Sequence, residues 1–453
     1  MNNVKTSKTY EMDMCNGPLL SKIVVFAIPL MLSGILQLLF NAADIVVVGR
    51  FAGKESLAAV GSTTSLINLL LNAFMGLSIG VNVLVARYYG SQEWEKLDET
   101  VHTSVVLGAV CGLFLTVLGE TVSERMLTLM GTPEDVLPLS ALYLKIYFLG
   151  MPATLLYNFG SAVLRAAGDT KRPLYFLFFS GAVNVILNLF FVIVFSAGVV
   201  GVALATIISQ SISAGLIIYC LMKTDAAYKI IPWKLRLIPA RAVEITKVGL
   251  PAGLQSAIFS LSNVVIQSSL NSFGSVAMAG STAAANIEGF VHTAANACYQ
   301  TSLSFTSQNY GARNYKRMRK IMVHSMGLVM VVCAVMGGGA VLMGKQLLGI
   351  YSSDPEVIQY GMHRLTINCG MYVLCGWMIT IVGGIRGAGY SVLPMVVALA
   401  GGCGVRMVWI FTYFAGHRTL DNLYLSYPLS WAVTLAAHAV CYFVIRRKFE
   451  KSE

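Results

Sequence analysis

The chain has 453 residues, of which 56% are hydrophobic and 12% charged, with a formal net charge of +11. A soluble globular chain is about 25% charged, so this composition excludes one and describes an integral membrane protein. The positive excess sits between apolar runs, where it reports topology and not a nucleic-acid-binding face.

Apolar runs long enough to cross about 30 Å of hydrocarbon fall near 24–51, 58–86, 101–119, 140–164, 173–196, 199–222, 245–272, 280–308, 321–343, 357–384, 392–414 and 424–445. Each reads as a helix, because lipid tolerates only helices or closed barrels and none of these runs alternates with period two. The expected fold is an all-α membrane protein with twelve transmembrane helices. Placing the N-terminus in the cytoplasm puts 24 Lys and Arg residues on that side and 5 on the other. The positive-inside rule therefore assigns both termini to the cytoplasm. The lack of organellar targeting adds a prokaryotic plasma or inner membrane.

The chain repeats itself. Pro29 and Phe51 match Pro251 and Phe273 at a spacing of 222, and Leu164-Arg165-Ala-Ala-Gly168 matches Ile385-Arg386-Gly-Ala-Gly389 at 221. Arg87-Tyr-Tyr-Gly90 likewise matches Gln308-Asn-Tyr-Gly311. Six spans per copy give both copies one orientation, hence two pseudo-symmetric lobes related by an axis along the membrane normal. The expected division is a first lobe over 1–222, a cytoplasmic linker over 223–247 and a second lobe over 248–453. The linker, rich in Lys and Arg and carrying Pro232 and Pro239, reads as resting partly on the inner leaflet.

Only Asp44 and Glu288 are acids standing clearly inside spans, each roughly 10–12 Å from the outer surface at 1.5 Å per residue. A carboxyl group there opposes insertion by roughly 2.5–3.5 kcal/mol. Ser33, Gln37, Asn41 and Asp44 recur at i, i+4, i+8 and i+11, one narrow stripe of the first helix. Asp44 thus reads as a group that takes up a proton or cation from an aqueous cavity, with Gln37 and Asn41 beside it as substrate contacts; the competing reading is a structural aspartate bonded to neighbouring helices. Glu288, His292 and Tyr299 recur at i, i+4 and i+11 on one face of the eighth span, and Glu288 and His292 are candidate substrate contacts, although Glu288 could equally pair with Arg364 in the tenth. Asn184 and Asn188 stand i, i+4 in the fifth span and Thr206 follows in the sixth. Their oxygens suit a small hard cation, and asparagines also join helices in lipid. Arg406, inside the eleventh span, is either a buried counter-ion or snorkels to the surface.

No hydrolase, nucleotide-binding or metalloprotease motif is present, and the nine cysteines are scattered without a CxxC pair. The chain reads as a transporter and not an enzyme, needing no cofactor beyond a coupling ion, H+ or Na+.

The early proline, the run Phe40-Asn-Ala-Ala-Asp44-Ile-Val-Val-Val-Gly49, the Arg-x-Ala-Gly turn in each half, Gln308-Asn-Tyr-Gly-Ala312 and Ser426-Tyr-Pro-Leu-Ser-Trp431 together resemble the multidrug and toxic compound extrusion (MATE) family. The resemblance spans nearly the whole chain. It implies a V-shaped antiporter exchanging inward H+ or Na+ for outward cationic, amphipathic drugs, acting as a monomer. It also implies that Asp44 is the coupling residue and that Asn184, position 188 and Thr206 complete a cation site with it. The family pattern has an aspartate where this chain has Asn188, which removes one formal charge from a Na+ site and favours H+. The alternative within the same two-lobe superfamily is a flippase for lipid-linked precursors, which requires several deep cations; Lys145, Arg364 and Arg406 are few.

Overall fold

The computed structural model describes residues 10–450. Almost every apolar run forms a helix that extends beyond the run, because polar end-turns continue the hydrogen-bond ladder into the interface. In chain order the helices are α1 (Leu19–Val47), α2 (Gly53–Ser91), α3 (Trp94–Leu129), α4 (Leu137–Leu149 and Met151–Ala166), α5 (Lys171–Leu189) and α6 (Gly198–Lys223). The second copy supplies α7 (Pro239–Asn271), α8 (Ser275–Gly311), α9 (Tyr315–Leu342), α10 (Pro355–Gly370 and Tyr372–Gly387), α11 (392–414) and α12 (Leu420–Glu450). Nine of these are long and apolar enough to span alone, and α4 and α10 span as pairs bent by 46°. The twelfth, α8, has the length, at 37 residues, but too polar a composition. Its polar side chains are mostly buried against α9 and the two halves of α10, which explains why helix and span coincide there without lipid-facing apolarity.

The duplication is written in the backbone. Left-handed residues recur 221 apart at Gly53 and Gly274, Gln92 and Arg313, and Gly168 and Gly389. Each glycine has φ between 87° and 96°, a conformation in which a Cβ would be strained. The bends of α4 and α10 fall at Gly150 and Met371, again 221 apart, so the bend survives the loss of the glycine. The runs expected as single fourth and tenth spans are thus each two helical segments. Short π-helical turns extend α1 over Val48–Ala52 and α5 over Phe190–Val194, and two more interrupt α11.

The chain forms two compact units. Among the described residues, one joins 10–13 to Leu32–Gly253, and the other joins Met14–Met31 to 254–450. The divisions fall two residues after Pro29 and two after Pro251, equivalent positions of the repeat. In the first unit, Phe148, Phe159, Leu115, Leu144 and Leu155 are fully enclosed. Here α2 meets the first half of α7 so closely that a Cβ on Gly76 would lie 2.2 Å from the backbone nitrogen of Gly253. The second unit encloses Phe305 against Phe26, ring centroids 5.4 Å apart and edge to face.

Residues 224–238 are mostly irregular, with one 3-10 turn at Pro232–Lys234, and α7 begins already at Pro239. They are held to the first unit by specific bonds. The Ile231 amide donates to His102 Nε2 at 3.0 Å, and just beyond, in the first turn of α7, Arg241 donates to Glu99 of α3 at 3.1 Å and to Glu244 of its own helix at 2.7 Å. The Tyr228 hydroxyl donates to Glu11 at 2.6 Å. Burial and the adjacent Glu11 carboxylate raise the Tyr228 phenol well above its ordinary range, so it remains a donor at neutral pH.

Candidate functional site

Asp44 lies in the first unit, on the last full turns of α1, and its carboxylate accepts a hydrogen bond from the Asn188 side-chain amide of α5. The same amide nitrogen donates to Asn184 Oδ1 at 3.2 Å, as the i, i+4 spacing on one helix face allows. Both asparagines are buried, Asn188 completely, whereas Asp44 is half-buried and Gln37 and Asn41 are exposed on the same stripe of α1. The Asn188 carbonyl oxygen is buried and accepts no hydrogen bond among the described residues. Thr206, on α6, donates its hydroxyl back to the Val202 carbonyl at 2.9 Å. The expected quartet is therefore assembled as a carboxylate–amide–amide chain, with Thr206 committed to its own helix.

Two tyrosines of α4 complete the surroundings. Tyr143 and Tyr147 have rings 5.9 Å apart, and Tyr147 hydrogen-bonds Gln210 of α6. Reading the residues one helix at a time passed over them, although Gln210 stands four residues after Thr206 and the tyrosines stand i, i+4. Each pair shares a helix face, and that spacing was the available signal.

In the second unit, Glu288 takes the pairing alternative. Arg364 grips it in a two-pronged bond, Nε to Oε1 at 2.9 Å and Nη2 to Oε2 at 3.0 Å, and Asn368 Nδ2 donates to Oε1 at 3.1 Å. Arg364 also donates to Ser281 at 2.8 Å and stacks over Tyr424 and Tyr427. Both charged groups are buried. His292, one turn further along α8, is exposed, and Tyr299 is buried and bonded by Arg386 at 3.0 Å. The face expected to unite Glu288, His292 and Tyr299 is thus divided between three environments. Arg406 is buried without a carboxylate partner among the described residues: it donates to Ser430 at 2.9 Å and lies 4.5 Å from the Tyr427 ring centroid. A guanidinium is weakly hydrated and stacks well on aromatic faces, which makes such a site tolerable.

The MatE family profile matches residues 29–190 and 251–412, one match per copy of the repeat. The chain belongs to the MatE family. MatE proteins are secondary transporters, so this chain is a membrane transporter and not an enzyme. Among curated relatives, it is 28% identical over 389 residues to the "Probable multidrug resistance protein YpnP" of Bacillus subtilis, covering 85% of this chain and 86% of that one. It is 23% identical to the "Multidrug export protein MepA" of Staphylococcus saprophyticus, covering 85% and 88%. A solved MATE-family transporter described as outward-facing superposes with a TM-score of 0.90 at 20% identity, covering 98% of this chain and all of that one. That likeness fixes the fold as the MatE architecture of twelve helices in two lobes.

Proposed function

We propose that this MatE transporter exports cationic, amphipathic compounds from the cell across the plasma membrane, with both termini in the cytoplasm, in exchange for protons taken up at Asp44. The observation that carries the coupling is the donor that faces Asp44. Asn188 presents its N–H2 group to the carboxylate, its oxygen takes no bond, and the Thr206 hydroxyl is spent on Val202. A bound alkali cation requires several oxygens converging on one point. One carboxylate facing an amide donor offers no such set of oxygens, and Asn188 in place of an aspartate withholds the second charge, so the site disfavours an alkali cation and leaves the proton as the coupling ion. Asn184 stands behind Asn188 and fixes its amide orientation.

Protonation removes the charge that attracts a cationic substrate. With Gln37 and Asn41 exposed along the same stripe, substrate and proton compete for one region of α1, and competition of this kind yields exchange. Engagement of Glu288 by Arg364 supports a structural role for that pair, leaving His292 as an exposed polar group one turn further along α8. The same pairing neutralises one of the few deep cations, which speaks against the flippase alternative. The names of YpnP and MepA accord with drug export.

Inside-out vesicles with H+ and Na+ gradients imposed separately test the proposal. Added drug should dissipate the proton gradient, Na+ should have no effect, and Asp44→Asn should lose exchange while reaching the membrane in normal amount. Exchange of wild-type rate in that variant would refute the role of Asp44.

A further inference from the structure

In the second unit, the start of α9 and the end of α12 enclose a cavity of about 380 Å³. Its floor is apolar, with Met318, Met322 and Ile385, and its rim carries Lys316, Arg319, Lys320 and Arg446. No lining residue is acidic, and Lys316, Arg319 and Lys320 form no ion pair among the described residues. Phe449 closes one wall, stacked on Tyr315 with centroids 5.2 Å apart and planes 5° from parallel.

Two further observations ask for an anion here. Thr306 lines the cavity and is 3% exposed, and its buried hydroxyl has no hydrogen-bond partner among the described residues. A buried hydroxyl left unbonded costs roughly as much as a lost hydrogen bond, so it marks a place where an acceptor belongs. The repeat supplies the second. In the first copy the corresponding helix start reads Trp94-Glu-Lys-Leu-Asp-Glu-Thr, and its Glu99 is neutralised by Arg241 from the segment that follows α6. In the second copy it reads Tyr315-Lys-Arg-Met-Arg-Lys-Ile, and what packs over it is α12, with Arg446, Arg447 and Lys448 in its last turns before Phe449 and Glu450. The aromatic pair is retained, Tyr89 with Trp94 and Tyr310 with Tyr315, while the charge has reversed and no acidic side chain among the described residues lines the cavity.

We infer that this cavity binds a phosphate ester carrying net negative charge, in the form of an anionic phospholipid headgroup of the cytoplasmic leaflet. Lysine and arginine ammonium and guanidinium groups, with a hydroxyl donor, match phosphate oxygens. The rings of Tyr315 and Phe449 stand at the ends of their spanning segments, where aromatic side chains meet the glycerol region. The apolar floor accommodates the first carbons of an acyl chain.

Native mass spectrometry of the full-length protein, titrated separately with phosphatidylglycerol, phosphatidylcholine and sn-glycerol 3-phosphate, tests this. Phosphatidylglycerol should bind at least tenfold more tightly than phosphatidylcholine. Each cation removed near a membrane surface weakens anionic-lipid binding about fivefold, so a variant with Lys316→Gln, Arg319→Gln and Lys320→Gln should lose about a hundredfold. Arg447→Gln, whose side chain does not line the cavity, should change nothing. Thr306→Val, nearly isosteric and without a bond to break, should weaken binding severalfold and provides a second variant should the first misfold. Binding of glycerol 3-phosphate as tight as that of the lipid, lost in the same variants, would support the phosphate site with a soluble ester as its source. Equal affinity for the two lipids, or unchanged phosphatidylglycerol affinity in both cavity variants, would overturn the inference.

Discussion

Replacing Glu288 with leucine tests whether its pairing with Arg364 is structural. The substitution removes three hydrogen bonds, two from Arg364 and one from Asn368, all at 2.9–3.1 Å, and strands a guanidinium that is only 9% exposed. Charge-assisted bonds contribute roughly 1.5–3 kcal/mol each, but the desolvation of both ions offsets most of that sum. The net loss for truncating one partner of a buried pair is about 3–5 kcal/mol. Glu288→Leu combined with Arg364→Met leaves no uncompensated charge and should come back to within about 1–2 kcal/mol of the parent, because well-packed apolar replacements of buried pairs are often neutral. Unfolding in mixed detergent micelles, measured for the two single variants and the double one, closes a thermodynamic cycle with an expected coupling of at least about 4 kcal/mol. A coupling below about 1 kcal/mol would refute the argument that the pair acts as a unit. Drug efflux by the stable double variant adds the functional half: retained efflux matches a structural pair, whereas a folded but inactive protein would return Glu288 to the substrate path.

Other expectations follow from single contacts. Asn188→Asp restores a second carboxylate beside Asp44 and should make exchange respond to a Na+ gradient; transport unaltered in its ion dependence would contradict the role given to Asn188. Gly76→Leu forces side-chain atoms into the α7 backbone, where even a Cβ would stand 2.2 Å from Gly253, so folded yield from membranes should collapse. Tyr228→Phe deletes the bond to Glu11 and should lower stability by about 1.5–3 kcal/mol, as for other bonds to charged groups, without changing the ion dependence of transport. Arg406→Met exchanges a buried guanidinium, bonded to Ser430 and stacked on Tyr427, for an apolar chain of similar length. With no acid to strand, a thermal shift much smaller than that of Glu288→Leu is expected in the same micelles.

The residues by themselves determined the class, the number of spans and the duplication, because in lipid each span must satisfy its own backbone and so announces itself as a continuous apolar run. They also marked Asp44 and Glu288, since an acid is conspicuous wherever hydrocarbon penalises it. What they could not decide is which acid is committed to a partner. Glu288 and Arg364 lie 76 positions apart, and only the packing of α8 against α10 brings the guanidinium within 3.0 Å of both carboxylate oxygens. Asp44 and Asn188 lie 144 positions apart, and the direction in which the asparagine turns its amide is a property of the α1–α5 pairing and of Asn184 behind it. Thr206 offered a ligand by type and spent its hydroxyl on Val202, a choice made by the local helix. The basic face at the start of α9 was visible merely as a topology signal; the enclosing end of α12 is what turns those charges into a cavity. Composition and periodicity report where a side chain sits along its own helix. Partnership depends on azimuth and depth between helices, which only tertiary packing sets.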